Sequence, residues 1–179
     1  MKTHNLLLES FERKLQEGNT KDVSKILQFA YEEYVKYKLN ENNIICNFAY
    51  STNKNDLSFD LITNDNIRIQ VKGRAATTSS GRPNLHMENT RRVSGKNKGN
   101  SSKSGHVSYG ADEHDVVIFV LPKDFSDTAT WECLAIPTKN LEDPNNKGRL
   151  VRSVSTKIID TWSQYSINQV FDMIREKNK

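Results

Sequence analysis

Between residues 57 and 74 apolar and polar positions alternate on both sides of a short polar run. Leu57-Ser58-Phe59-Asp60-Leu61-Ile62 precedes the run, Thr63 to Asn66 form it, and Ile67-Arg68-Ile69-Gln70-Val71-Lys72-Gly73-Arg74 follow. A period of two over this length predicts two strands joined by a tight turn. Leu57, Phe59 and Leu61 share one face, as do Ile67, Ile69 and Val71, and both sets are expected in the core. The other face carries Ser58, Asp60 and Ile62 against Arg68, Gln70 and Lys72. A three-residue connection with Asn66 in a left-handed conformation sets Asp60 opposite Gln70 and Ser58 opposite Lys72. A connection of two or four residues gives a different register.

Elsewhere the period is helical or the run is uniformly apolar. Thr3 is placed to cap a helix over 3–17, within an N-terminal segment 1–20, with Leu7, Phe11 and Leu15 on one stripe and Gly18 as its stop; its expected role is packing or dimer contact. A second helix is expected over 22–39, where Ile26, Leu27, Ala30, Tyr31, Tyr34, Val35 and Leu39 repeat at helical spacing. Glu32, one turn from Gln28 and Val35, borders that stripe, whereas Glu33 points towards solvent. After a turn at 40–43, residues 44–50 read as the first strand. The apolar run 115–121 reads as a central strand covered on both faces, and 131–137 as the next strand. Residues 145–164 are polar, with an extended piece at 150–154. A closing helix over 165–177 follows, with Ser166 and Gln169 as a capping box and Ile167, Val170, Phe171 and Ile174 as its stripe. Trp162 and Tyr165 are assigned to the core.

The chain has 179 residues, 35% of them hydrophobic, which suits one domain with its own core. It contains no apolar run of membrane-spanning length, and the three leucines near its start are too few for a signal peptide, so a cytoplasmic location without a membrane partner is expected. Cys46 and Cys133 have no metal-ligand spacing and are expected to be buried free thiols. The net charge of +4 is unevenly spread, since residues 72–103 hold eight basic side chains against the single acid Glu88. Within 75–110, Ser, Thr, Gly, Asn, Lys and Arg dominate with little periodicity, the pattern of a functional loop. His86, His106 and His114 fit no ligand motif and read as loop histidines. Residues 94–101 lack the order of a phosphate loop, which removes an NTPase reading.

On the polar face of the hairpin the residue types suit phosphodiester hydrolysis. An aspartate can hold a divalent cation, the Val71 carbonyl can add an oxygen ligand, and a neighbouring lysine can orient or deprotonate a water. A basic segment directly after such a constellation favours a phosphate backbone as partner. The candidates for contacts to DNA are Arg74, Thr77, Thr78, Ser79, Arg82, Asn84, His86, Arg91, Arg92, Lys96, Lys98 and Lys103.

The spacing of Ser58-Phe59-Asp60 and Gln70-Val71-Lys72 resembles the PD-(D/E)XK nuclease superfamily, the fold of many restriction endonucleases. Gln70 stands where the commoner pattern has Asp or Glu; a Gln-x-Lys form occurs in some branches, including proteins resembling Mrr-type restriction enzymes. In that superfamily an early helix often offers a glutamate in a pattern like A-E-x-x-V-x-x-x-L. Residues 31–39 reproduce its Glu, Val and Leu, with Tyr31 in place of the small residue. The strand Asp115-Val116-Val117-Ile118-Phe119-Val120 and the Trp131-containing strand ending in Ile136-Pro137 are similar to the later half of small members, so the resemblance covers 22–140.

It implies a single α/β domain over 1–179, a restriction endonuclease-like core with a small mixed sheet flanked by helices. It further implies a Mg²⁺-dependent endodeoxyribonuclease, with Mn²⁺ able to substitute, that cuts double-stranded DNA as a homodimer in the manner of a type II restriction enzyme. Asp60, Glu32 and the Val71 carbonyl would hold the metal, Lys72 would position or activate the water, and Gln70 would orient that water or an outer ligand. Two other readings remain open: a structure-selective nuclease resembling Holliday junction resolvases, and a DNA-binding module without activity. An RNA-binding reading finds no aromatic-rich strand motif.

Overall fold

A computed structural model describes residues 20–49, 59–73, 76–77, 83–89, 107–123 and 127–177. The helix expected over 3–17 lies outside them, as do Leu57 and Ser58. Helix α1 (Thr20–Glu41) spans the apolar stripe at 26–39 and buries Tyr31, Val35 and Leu39. Its end is built by Asn43, whose φ of 59° lets the Ile44 N–H return to the Leu39 carbonyl at 2.9 Å and its own N–H to Asn40 at 3.0 Å. This closure needs a left-handed residue, and asparagine tolerates one where most side chains do not.

Five strands follow in one mixed sheet: β1 (Cys46–Phe48), β2 (Leu61–Thr63), β3 (Arg68–Gly73), and, after four two-residue strands, β8 (Val116–Leu121) and β9 (Glu132–Pro137). The order across the sheet is β1-β2-β3-β8-β9, with β3 and β8 parallel and every other pair antiparallel. β8 is apolar along its length, so it demands neighbours on both edges and layers on both faces. Val116 to Val120 are accordingly at most 1% exposed. α1 packs against β3, β8 and β1, while α2 (Thr156–Trp162) and α3 (Ile167–Lys177) pack against β9. The arrangement is the α/β mixed sheet flanked by helices that the sequence implies.

The hairpin has the three-residue connection. Ile62 pairs with Arg68 and Leu61 with Ile69, the Thr63 N–H donates to the Ile67 carbonyl at 3.0 Å, and Asn66 has φ 64°. Pairing stops at Leu61, and the Asp60 N–H turns to the Ile69 carbonyl at 2.8 Å. The closing helix carries its capping box, with the Ser166 N–H donating to Gln169 Oε1 at 2.8 Å and the Gln169 N–H to Ser166 Oγ at 3.3 Å.

Four expectations are corrected. The segment 75–110 is not loop throughout: β4 (Ala76–Thr77) pairs with β5 (Pro83–Asn84), β6 (Glu88–Asn89) pairs with β7 (Val107–Ser108), and Leu85 and Met87 are 1% exposed. Their exposed neighbour His86 bridges Ser153, so the extended piece at 150–154 finds its partner here, with Met87 N–H on the Arg152 carbonyl at 2.9 Å. The polar stretch 145–164 contains α2, capped by Ser155 accepting from the Ile158 N–H, with Ile159 and Trp162 turned inward. Tyr165 just beyond it is 42% exposed, because its ring lies at the surface against Trp162, centroids 5.3 Å apart, while Trp162 takes the buried position. His114 is buried at 1% exposure, held edge-on against Tyr109.

Gly73 shows how tightly α1 meets the sheet. A Cβ there would stand 1.8 Å from Cε2 of Tyr31, a ring that is itself buried and 5.3 Å from the Trp131 ring. Gly73→Ala is expected to lower unfolding free energy by about 1–3 kcal/mol in urea titration. Combined with Tyr31→Ala, the losses should be sub-additive, and simple additivity would contradict this contact.

Candidate active site

Because pairing with β2 ends at Leu61, the peptide group of Val71 on β3 is completed by side chains. Its N–H donates to Asp60 Oδ2 at 2.8 Å, and its carbonyl accepts from Gln70 Nε2 at 3.2 Å and from Gln28 Nε2 at 3.3 Å. Gln70 Nε2 also donates to Asp60 Oδ2, and Gln28 Nε2 donates to Glu32 Oε1 at 2.9 Å. Acceptor oxygens from a strand end, a strand backbone and a helix thus gather around two amide nitrogens. The structure brings Glu32, Asp60, Gln70 and Val71 together. Gln28 is the addition: its spacing from Glu32 was legible, but its reach to the Val71 carbonyl depends on how α1 docks.

Glu32 is 9% exposed. Burial pushes its carboxyl up to about 7, the Gln28 hydrogen bond opposes that rise, and the negative charges of Asp60 and Glu33 add to it. Two carboxylates that sense each other beside a backbone carbonyl form the kind of oxygen set that hard divalent cations take. Among the described residues no group of three or more His, Cys, Asp or Glu side chains forms a metal cluster, so any cation here would rely on the Val71 carbonyl and on water.

Lys72 lies two residues beyond Gln70 on the same strand, hence on the same face. Its ammonium donates to the Tyr109 hydroxyl at 2.7 Å and stands 4.6 Å from that ring's centroid. Tyr109 is 6% exposed and packs edge-on to His114, centroids 5.3 Å apart. Burial, then the charges of Lys72 and Arg68, hold His114 down at about 4, so its ring is neutral at pH 7. Arg68 is committed elsewhere, with its guanidinium on both Asp115 oxygens at 3.0 and 3.1 Å and on the Asp112 carbonyl at 2.7 Å. Tyr109 lacked a sequence signal because it lies within the segment 75–110, with no periodicity to give its direction.

Of the candidate DNA contacts, His86 is exposed with Nδ1 3.1 Å from Ser153 Oγ. Thr77 and Asn84 fall in β4 and β5, of which only the pairing is described. Arg74, Thr78, Ser79, Arg82, Arg91, Arg92, Lys96, Lys98 and Lys103 lie outside the described residues.

No protein-family model matches the chain, and no curated protein matches it in sequence. Among solved structures it is similar to a bacterial homing endonuclease, I-Ssp6803I, with a TM-score of 0.51 and 15% identity. The likeness covers 86% of this chain and 94% of that one. The two share a fold. No helix among the described residues is long and apolar enough to cross a membrane.

The two buried titrating groups give opposite pH dependences. Glu32 titrates near 4.5 when unfolded and about 7 when folded, so its contribution to stability is full below 4.5 and is lost as pH rises to 7. His114 titrates at 6.5 unfolded and about 4 folded, so its contribution is full above 6.5 and is lost as pH falls towards 4. In chelator, Glu32→Gln should unmask the His114 slope, with urea-unfolding stability falling steadily on acidification. The variant should also exceed the parent at pH 8 by up to about 3 kcal/mol. An unchanged pH profile would contradict a buried carboxylate at this position.

Proposed function

We propose that the chain is a metal-dependent DNA endonuclease of the PD-(D/E)XK type with Gln-x-Lys in place of the commoner motif, cutting duplex DNA at specific sequences as a homodimer. The observation that carries this reading is the convergence of Asp60 Oδ2 and the Val71 carbonyl on one amide nitrogen, beside the Glu32 carboxyl. Such oxygens are arranged to surround positive charge. The fold shared with a homing endonuclease supports it independently.

Asp60, Glu32 and the Val71 carbonyl would hold Mg²⁺, with Mn²⁺ as a substitute. When bound, the cation supplies charge stabilisation at the scissile phosphate and lowers the pKa of a bound water. With a cation held by these oxygens, Gln70 would exchange its hydrogen bonds to Asp60 and Val71 for one that orients a water. Lys72, held by the Tyr109 hydroxyl, presents Nζ to a phosphate oxygen or to the attacking water. The basic residues of 72–103 would neutralise the flanking backbone phosphates. A second reading, a DNA-binding module without activity, is favoured by one feature: at position 70 a neutral amide, which donates to Asp60 and to the Val71 carbonyl, stands where a metal-binding carboxylate would be expected. Salt-sensitive DNA binding with no cleavage in Mg²⁺ or Mn²⁺ would select it, and preferential cutting of branched substrates would select a resolvase-like enzyme.

Incubation of the protein with phage DNA and Mg²⁺ followed by sequencing of fragment ends should yield discrete termini. Asp60→Asn and Lys72→Met should each lower cleavage by about 10²–10⁴-fold with duplex affinity retained. Turnover surviving in either variant refutes the assignment. Tyr109→Phe keeps the ring and removes the acceptor for Lys72; a loss of about tenfold with a displaced basic limb in the pH–rate profile is expected.

A further inference from the structure

A cavity of about 290 Å³ opens where the start of β8 and the end of β9 meet α3, close to the ~300 Å³ at which small-molecule sites begin. Its walls combine Ala111, Pro137, Met173 and Ile174 with the polar side chains of His114, Asp115, Thr138, Lys139 and Lys177. His114 and Thr138 are 1% and 2% exposed. Both imidazole nitrogens of His114 and the hydroxyl of Thr138 lack a hydrogen-bond partner, and among the described residues no other buried side-chain polar atom is left so. An orphaned buried polar group costs about 1–3 kcal/mol, so two of them on one cavity call for an occupant that hydrogen-bonds.

Charge narrows the choice of occupant. The Asp115 carboxylate is taken by the Arg68 guanidinium and by the Arg68 N–H at 2.8 Å. Lys139 and Lys177 have no carboxylate partner among the described residues, and the contact between their side chains holds the Lys177 amine below its usual value. With Asp115 tied to Arg68, Lys139 and Lys177 leave the wall of the cavity net positive. We propose that this cavity binds a phosphate-type oxyanion, with Lys139 and Lys177 holding its charge and Thr138 and His114 its remaining oxygens. A tetrahedral group offers acceptors in several directions at once, as these donors require. The cavity is distinct from the Asp60 site: it adjoins the Arg68 end of β3, roughly 13 Å along the strand from Lys72. The proposal does not rest on nuclease activity.

Two sources share this chemistry, a free phosphate or a phosphate of the nucleic-acid backbone. Thermal unfolding of the full chain in increasing inorganic phosphate, with chloride at matched ionic strength as control, reads binding directly. A saturable rise in melting temperature is expected. In Lys139→Ala/Lys177→Ala, both positions being exposed, apparent affinity should fall at least ~10-fold, and in Thr138→Val it should fall less. Duplex binding across a salt series then separates the sources. A slope of log affinity against log salt smaller by about 1 in the double variant assigns the cavity to a backbone phosphate, and an unchanged slope assigns it to a free one. No gain over chloride, or an equal gain in the double variant, overturns the proposal and leaves water as the occupant.

Discussion

The peptide group of Val71 is the constraint around which the candidate site is assembled. Strand β2 pairs with β3 from Leu61 onward and not before it, and a buried N–H and C=O cannot go without partners. Asp60 supplies the acceptor, and Gln28 and Gln70 supply the donors. A regular ladder continued by two residues would have consumed these groups and left Asp60 facing solvent. The early end of β2 therefore turns a strand edge into a polar pocket, and it draws one helix and two strands into it.

That pocket is electrostatically tense. Glu32 is buried near another carboxylate and its carboxyl is pushed up to about 7, while across the same strand Lys72 and Arg68 press upon a buried histidine. The protein resolves the second conflict by keeping His114 neutral and by giving Lys72 the Tyr109 hydroxyl. The first is met in part by amide donors, which are weaker counterparts to two carboxylates than a cation is. Gln70, the departure from the commoner motif, matters here because a third carboxylate in its place would have deepened the repulsion, whereas an amide can donate to Asp60.

The likeness to a homing endonuclease at 15% identity speaks to how the layers are stacked. Function is a property of sites grafted on folds, so the reading of this chain depends on the oxygens around Val71 and on the amine of Lys72. The same sheet carries a second polar concentration at the other end of β3, where Arg68 pins Asp115 and leaves two lysines facing a cavity.

Period-two and period-3.6 patterns by themselves pointed to a helix over 22–39, a hairpin turning at 63–66, the buried run of β8 and the capping box of the last helix, whereas the hairpin register stayed open until the connection was seen to have three residues. These depend on neighbours within a few residues, and so local sequence carries them. Asp60 and the Gln70-Val71-Lys72 triplet were also legible, since strand alternation gives side-chain direction, whereas Glu32 became a candidate only through the resemblance. Tertiary structure alone decided that Gln28 reaches the Val71 carbonyl, that Tyr109 receives Lys72, that Leu85 and Met87 leave a polar segment for the core, and that His114 is buried. Each of these contacts joins residues far apart in sequence, and their energies arise from desolvation and packing that exist only once the layers have met.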